Sequence, residues 1–145
     1  MAGYPVTFEL QGFGSKKKIM KKTKSLPKLK KELQEVFNAY IRKRDINEPC
    51  ISCGGNGVKQ AGHYYPVQGY DGLRFNECNV NGECVKCNCF DESHLIGYTE
   101  NLPGRIGIDN FEQLKKDAKD YKINGYKFSR SELIEKITYY KQKVK

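Results

Sequence analysis

Two short stretches, "CISC" at residues 50–53 and "CVKC" at 84–87, place a pair of CxxC spacings in one chain of 145 residues. The chemistry this spacing suits is metal binding. One tight turn presents two thiolates to a single ion, and two such turns complete the tetrahedron that zinc requires. Cys50, Cys53, Cys84 and Cys87 are therefore expected to hold a structural Zn2+ ion. The competing chemistry is disulfide formation in an oxidising compartment. Against it, "MAGYPVTFELQGFGSKKK" at the start contains no apolar run long enough for a signal peptide or a membrane span. The expectation is a reducing, cytoplasmic location without membrane partners. Cys78 and Cys89 exceed the count of four; they are read as reduced, partly buried thiols, either of which could replace a member of the set.

The chain has two histidines. His63, in "QAGHYYP", lies between the cysteine pairs, and three roles are open to it: zinc ligand, packed aromatic, or base. An unperturbed imidazole titrates near pH 6.5, which suits proton transfer around neutrality. A lone histidine is more often structural, and at this point all three roles stay open for His63. If the pairs close on one ion, the intervening residues form a strand carrying His63, a loop, a second strand ending near Asn79 and a helix leaving the second pair. On that helix, expected over 85–96, His94 lies two turns beyond Cys87 and points toward the sheet. Asn79 could instead cap the strand end and Asn88 the helix.

The elements that must position these groups are read from periodicity and turn chemistry. The fold class is α+β, a small zinc-stapled core flanked by helices. Residues 1–25 read as a basic arm, with "YPVTFEL" a candidate edge strand. Residues 26–48 form a basic amphipathic helix, its apolar face set by Leu29, Leu33, Val36, Phe37, Tyr40 and Ile41. Residues 49–104 form the core, with candidate strands at "VKQAGHYY" and "GLRFN" around the turn-forming "PVQGYDG". Residues 105–145 hold a helical pair. Asp109 with Glu112 and Ser129 with Glu132 have capping-box spacing, and "NGY" at 124–126 ends the first helix.

The formal charge of +9 is concentrated near the N-terminus, where twelve Lys and Arg between residues 16 and 44 face only Glu32 and Glu35. Such a block attracts phosphate backbones by counterion release, independently of base sequence. Lys16, Lys17, Lys18, Lys21, Lys22, Lys24, Lys28, Lys31 and Arg42 are the candidate nucleic-acid contacts, with Arg74 a further phosphate contact. The bland reading is a solubilising lysine face. A membrane-surface reading is weaker, because large apolar residues are not interleaved with the lysines. Tyr64, Tyr65, Tyr70 and Phe75 could stack on unpaired bases, though most are expected in the core.

The order CxxC, "AGHY", Asn79 five residues before Cys84, then "CVKCN" and a polar group on the following helix resembles the HNH, or ββα-metal, nucleases. A closer resemblance is to the phage recombination endonuclease family NinG, also called Rap. "FNAYIRKRD", "PCISCG", "AGHY", "LRF", "NV", "CxxCN" and "RIG" occur in that family's order, and "FSRSELIEKITYYK" is similar to its C-terminal helix. The resemblance covers residues 36–145. It implies a Mg2+- or Mn2+-dependent, structure-selective endonuclease acting on branched DNA such as Holliday junctions and D-loops, in a host cytoplasm. It assigns His63 as general base, Asn79 as the residue that orients it and His94 as the ligand of the catalytic ion. Many HNH nucleases carry Asp directly before the base, where this chain has Gly62. The "AGH" pattern implies a site in which phosphate and water complete the ion's shell, with Asp91 or Asn88 as further candidate oxygens. An imidazole at His94 suits Mn2+ better than Mg2+.

The alternative is a catalytically silent zinc module that grips DNA as an accessory protein. Resolving a four-way junction takes two nicks, which would suit a homodimer. The stripe Leu133, Ile137, Tyr140 and Val144 could serve such a dimer or close the monomer's own core.

Overall fold

A computed structural model describes residues 22–58 and 60–145. The edge strand expected at "YPVTFEL", and Lys16, Lys17, Lys18 and Lys21, lie outside the described residues. Among the described residues the architecture is mixed α+β, with five helices and one two-stranded antiparallel sheet. No helix among the described residues is long and apolar enough to cross a membrane.

Helix α1, Leu26–Arg44, begins with Pro27 in its first turn, where a missing N–H costs nothing, and ends in three basic residues that favour its negative pole. Leu29, Leu33, Phe37 and Ile41, spaced four apart, are all buried. They meet Leu133, Ile137 and Tyr140 of the last helix, α5, Arg130–Lys143. The Ser129 side chain accepts from the Glu132 amide at 3.2 Å, so the cap expected there forms. The Tyr140 ring packs edge-on to Phe37 at 4.9 Å, and the hydroxyls of Tyr40 and Tyr140 donate to the two oxygens of Glu77. The Leu133–Ile137–Tyr140 stripe thus closes the chain's own core.

A second core joins α3, His94–Ile106, to α4, Ile108–Asn124. Tyr98, Leu102, Phe111, Leu114 and Ala118 pack with Ile51 and Leu73. Gly125, at φ 70°, ends α4 as expected from "NGY". Its start differs from the expectation: the cap is Gly107, at φ 87°, and Asp109 lies inside the first turn. Gly107 swings the chain from α3 straight into α4, so no linker is left for Asp109 to cap.

Between the two cores lie β1, Gln60–His63, and β2, Val80–Glu83, paired Gly62 with Asn81 and His63 with Val80. The second strand was expected at "GLRFN", ending near Asn79; it begins at Val80 instead. Leu73 and Phe75 do not share a strand face, because Leu73 enters the second core and Phe75 the first. A 3₁₀ turn at Asp71–Leu73 makes that divergence possible. All four residues of "VNGE" are buried, so the alternation that marks a half-exposed strand is missing from β2. The helix expected over 85–96 is also two. Helix α2, Val85–Phe90, stops at Asp91, whose Oδ1 accepts from the Ser93 amide at 2.9 Å and its hydroxyl at 2.7 Å. This side-chain turn competes with the helical ladder and re-aims the chain into α3.

Because Leu133 is 1% exposed at the α1–α5 contact, Leu133→Ala should cost about 2–5 kcal/mol. The check is the midpoint of urea unfolding of the zinc-loaded protein, which should fall without a change in zinc content.

Candidate metal centre and histidine site

The sulfurs of Cys50, Cys53, Cys84 and Cys87 lie within 4.8 Å of one another. Tetrahedral bonds of about 2.3 Å place thiolates about 3.8 Å apart, and the Cys53 and Cys84 sulfurs are 3.9 Å apart. The donor set and spacing therefore fit zinc. Local backbone bonding makes the cluster. Gly54, at φ 70°, turns the first pair, its amide donating to the Cys50 carbonyl at 2.8 Å. The Gly55 amide then points at the Cys53 sulfur, and the Cys84 amide at that of Cys50, at 3.4 and 3.3 Å. The Ile51 amide donates to Gly82 at 3.0 Å, docking the first pair beside β2. Amide donation from Cys87 holds the Cys84 thiol below its usual range, while burial pushes Cys50 and Cys87 up. Cys78 is half-buried and Cys89 exposed; neither joins the cluster.

His63 ends β1, half-buried, with Nε2 3.0 Å from the Arg74 carbonyl oxygen. A carbonyl only accepts, so the proton sits on Nε2 and the lone pair on Nδ1. Burial moves the His63 pKa below the ordinary imidazole value, opposed by the Arg74 carbonyl and by Glu83 and assisted by the Arg74 charge. The ring is therefore neutral at pH 7. Asn79 is fully buried and does not bond the ring. Its Oδ1 accepts from the Tyr65 amide at 2.8 Å, and its Nδ2 donates to the carbonyls of Tyr65 and Leu73 at 3.1 and 3.2 Å. Asn79 clamps the two ends of the loop, and Arg74, whose carbonyl meets His63, is the next residue after Leu73.

His94 opens α3 instead of lying two turns along the helix of Cys87. Its Nδ1 is nonetheless 2.8 Å from Oε1 of Glu83, the last residue of β2. Glu83 is fully buried, the Ser52 hydroxyl donates to the same oxygen, and Oε2 has no partner. A Cβ at Gly62 would collide with that Oε2. The space beside Gly62 is filled by the Glu83 carboxylate, which the spacing argument missed. A single Glu ahead of a cysteine pair carries no spacing signal; the glycine before His63 was the available clue. Glu83 bonds the His94 ring and its Oε2 lies against Gly62, the residue before His63, and among the described residues only the four cysteines form a group of three or more tightly placed ligand atoms. Asp91 is engaged by Ser93, and Asn88 lies half-buried on α2.

Lys22, Lys28 and Lys31 are exposed, and Arg42 is half-buried on α1. Lys24 pairs with Glu32, which also holds Lys141 at 2.6 Å and whose carboxyl these lysines keep below its usual range. The Arg74 guanidinium bonds Gln34 at 2.7 Å and Asp71 at 3.4 Å. Tyr64, Tyr65 and Tyr70 are half-buried against the second core, with ring spacings of 4.9 Å along the series, and Phe75 is buried.

A family model described as "NinG: Bacteriophage Lambda NinG protein" matches residues 12–145. The chain belongs to the NinG family of phage proteins. It is 39% identical to Protein ninG of Salmonella phage P22 over 63% of this chain and 46% of the relative. It is also 39% identical to Protein ninG of Escherichia phage lambda over 60% of this chain and 44% of the relative, and 38% identical to that of Escherichia phage 933W over the same shares. The matched segment thus spans less than half the length of these NinG relatives. No solved structure matches the chain.

Purified under reducing conditions, this NinG-family chain should carry one zinc ion, measurable by metal analysis after chelation. Cys87→Ser should lose the ion and the folded near-ultraviolet spectrum, whereas Cys89→Ser should keep both. Zinc retained in Cys87→Ser and lost in Cys89→Ser would reassign the fourth ligand.

Proposed function

We propose that the chain is a metal-dependent DNA endonuclease of the HNH, ββα-metal type, hydrolysing phosphodiester bonds in branched recombination intermediates such as Holliday junctions and D-loops. The observation that carries this reading is the state of His63: neutral, its proton held on Nε2 by the Arg74 carbonyl and its Nδ1 lone pair left over. That is the form a general base needs near pH 7. The order strand, loop, strand, helix between and after the cysteine pairs supports the same reading.

In this mechanism His63 Nδ1 accepts a proton from the attacking water. Asn79 keeps the loop, and with it the Arg74 carbonyl, in register with the ring. His94 would hold the hard divalent cation, which when bound supplies positive charge at the scissile phosphate and the leaving oxygen. The basic residues at the N-terminus and on α1 would hold the DNA backbone without reading its sequence.

The test compares labelled four-way junctions, D-loops and linear duplexes with Mn2+, with Mg2+ and with EDTA. Cleavage should favour branched DNA, vanish in EDTA and fall by about 10²-fold or more in His63→Ala. The rate should rise with pH through a limb whose midpoint lies below the usual imidazole value of about 6.5. The sign follows from burial: a pKa moved down leaves more of the neutral base at any given acidic pH. Absence of cleavage with every divalent ion, while binding persists, would favour a silent DNA-binding zinc module.

The arm has its own readout. Removing residues 1–24 should weaken DNA binding and flatten its dependence on salt, with zinc content unchanged. An unaltered slope of log affinity against log salt would place the phosphate contacts elsewhere.

A further inference from the structure

Among the described residues two acidic side chains are buried, Asp45 at 3% and Glu83 at 0% exposure. They are treated very differently. Asp45 faces a cation: the Arg44 guanidinium donates to both of its oxygens, at 2.6 and 2.7 Å, and the Gly82 amide adds a bond at 2.8 Å. Glu83 has no Lys or Arg partner. Its contacts are the Ser52 hydroxyl and the His94 ring, both on Oε1, and Oε2 is buried with no partner at all. A buried carboxylate with half its acceptor capacity unused carries a desolvation cost that a cation would offset.

We infer that Glu83 and His94 together form the divalent-cation site, with Glu83 supplying the carboxylate that the Gly62 position lacks. This deepens the nuclease reading by naming the ligand set, and it rests on that reading only for the ion's use in cleavage. Three observations converge. The Glu83 carboxylate stands where a side chain at Gly62 would have to extend. Two ligands at right angles on an octahedral ion, each about 2.1 Å away, lie about 3 Å apart, and His94 Nδ1 lies 2.8 Å from Glu83 Oε1. The His94 side chain is 20% exposed and that of Glu83 is buried, so an ion would approach from the His94 side. A carboxylate oxygen also answers the chemistry of Mg2+ and Mn2+, which prefer oxygen to a lone imidazole. Glu83 acts on His63 as well, its charge favouring the protonated ring; a bound cation would cancel that effect and keep the base neutral.

The experiment titrates the zinc-loaded chain of 145 residues with Mn2+ and follows the free-ion signal by electron paramagnetic resonance. Wild type should bind one Mn2+, and Glu83→Gln, which keeps shape and hydrogen bonds but not charge, should weaken binding at least tenfold with zinc content intact. His94→Ala, on a partly exposed side chain, should do the same and serves where Glu83→Gln fails to fold. Equal Mn2+ affinity in wild type and both variants, or no Mn2+ binding by wild type, would overturn the inference and leave Ser52, Glu83 and His94 as a structural hydrogen-bonded group. The two readings fail separately. Mn2+ binding lost in Glu83→Gln, with no DNA cleavage by wild type, would sink the nuclease and keep the site. Full cleavage by Glu83→Gln would sink the site and keep the nuclease.

Discussion

Two strands of four residues do not make a sheet that persists in water on their own, yet β1 and β2 are what every chemical group in this protein is arranged around. What sustains them is enclosure. The cysteine pairs pin the outer end of the sheet, α1 covers one face through Val80 and Ala61, and α3 covers the other, where the Tyr98 hydroxyl donates to the Gly62 carbonyl at 2.8 Å. Zinc in the sulfur cluster would add binding energy of order 10 kcal/mol to this small unit. Without that clamp, a core split into two clusters would have to hold the buried β2 and the half-buried β1 by itself.

A sheet enclosed on both faces forces polar groups inward, and most are fully partnered. Asn81 donates to the Cys78 carbonyl and the Tyr98 hydroxyl, both at 3.1 Å, and accepts from Arg44. Arg44 also donates to the carbonyls of Glu77 and Val80 at 3.0 Å, so one guanidinium joins the end of α1 to the start of β2. Satisfied networks of this kind fix one register, because a slip of one residue would strand each of these groups. Gly82 belongs to the same logic: a Cβ there would meet Val58 and Asp45. Against that background Glu83 Oε2 and Arg105 Nη1 are the buried side-chain atoms left without a partner among the described residues.

Local signals carried the parts of the structure that depend on one element at a time. The spacing of Leu29, Leu33, Phe37 and Ile41 defined α1, CxxC spacing defined the sulfur cluster, and Ser129 with Glu132 marked the start of α5. The misreadings share a cause in tertiary context. β2 reads "VNGE", poor in strand formers, and is a strand because both faces are covered. Gly97, Pro103 and Gly104 disguised α3; Gly97 is required because a Cβ there would strike the Ser52 carbonyl. His94 was placed beside the sheet for a reason that failed, a continuous helix, and reaches it through a turn at Asp91. Asn79 was read as the residue that orients the base, and its bonds go to Tyr65 and Leu73 of the loop whose Arg74 carbonyl meets the ring. In each case the residue type and neighbourhood were readable from the chain, while the bonding partner was set by a segment far away in sequence.

The proposed Glu83–His94 site lies directly before Cys84 in sequence, which raises the question of how each ligand set would keep its own metal. Ligand type decides it. Four thiolates select a soft or borderline ion and leave a hard one poorly held. An oxygen and an imidazole with an otherwise open shell bind weakly and accept ions that keep several waters. The sulfur cluster would fill once, on folding, and the proposed site would exchange with solvent. For the proposed nuclease this asymmetry would be useful: a loosely held ion would exchange some of its waters for a phosphate brought by DNA, so the cation would be held best where a backbone is already bound.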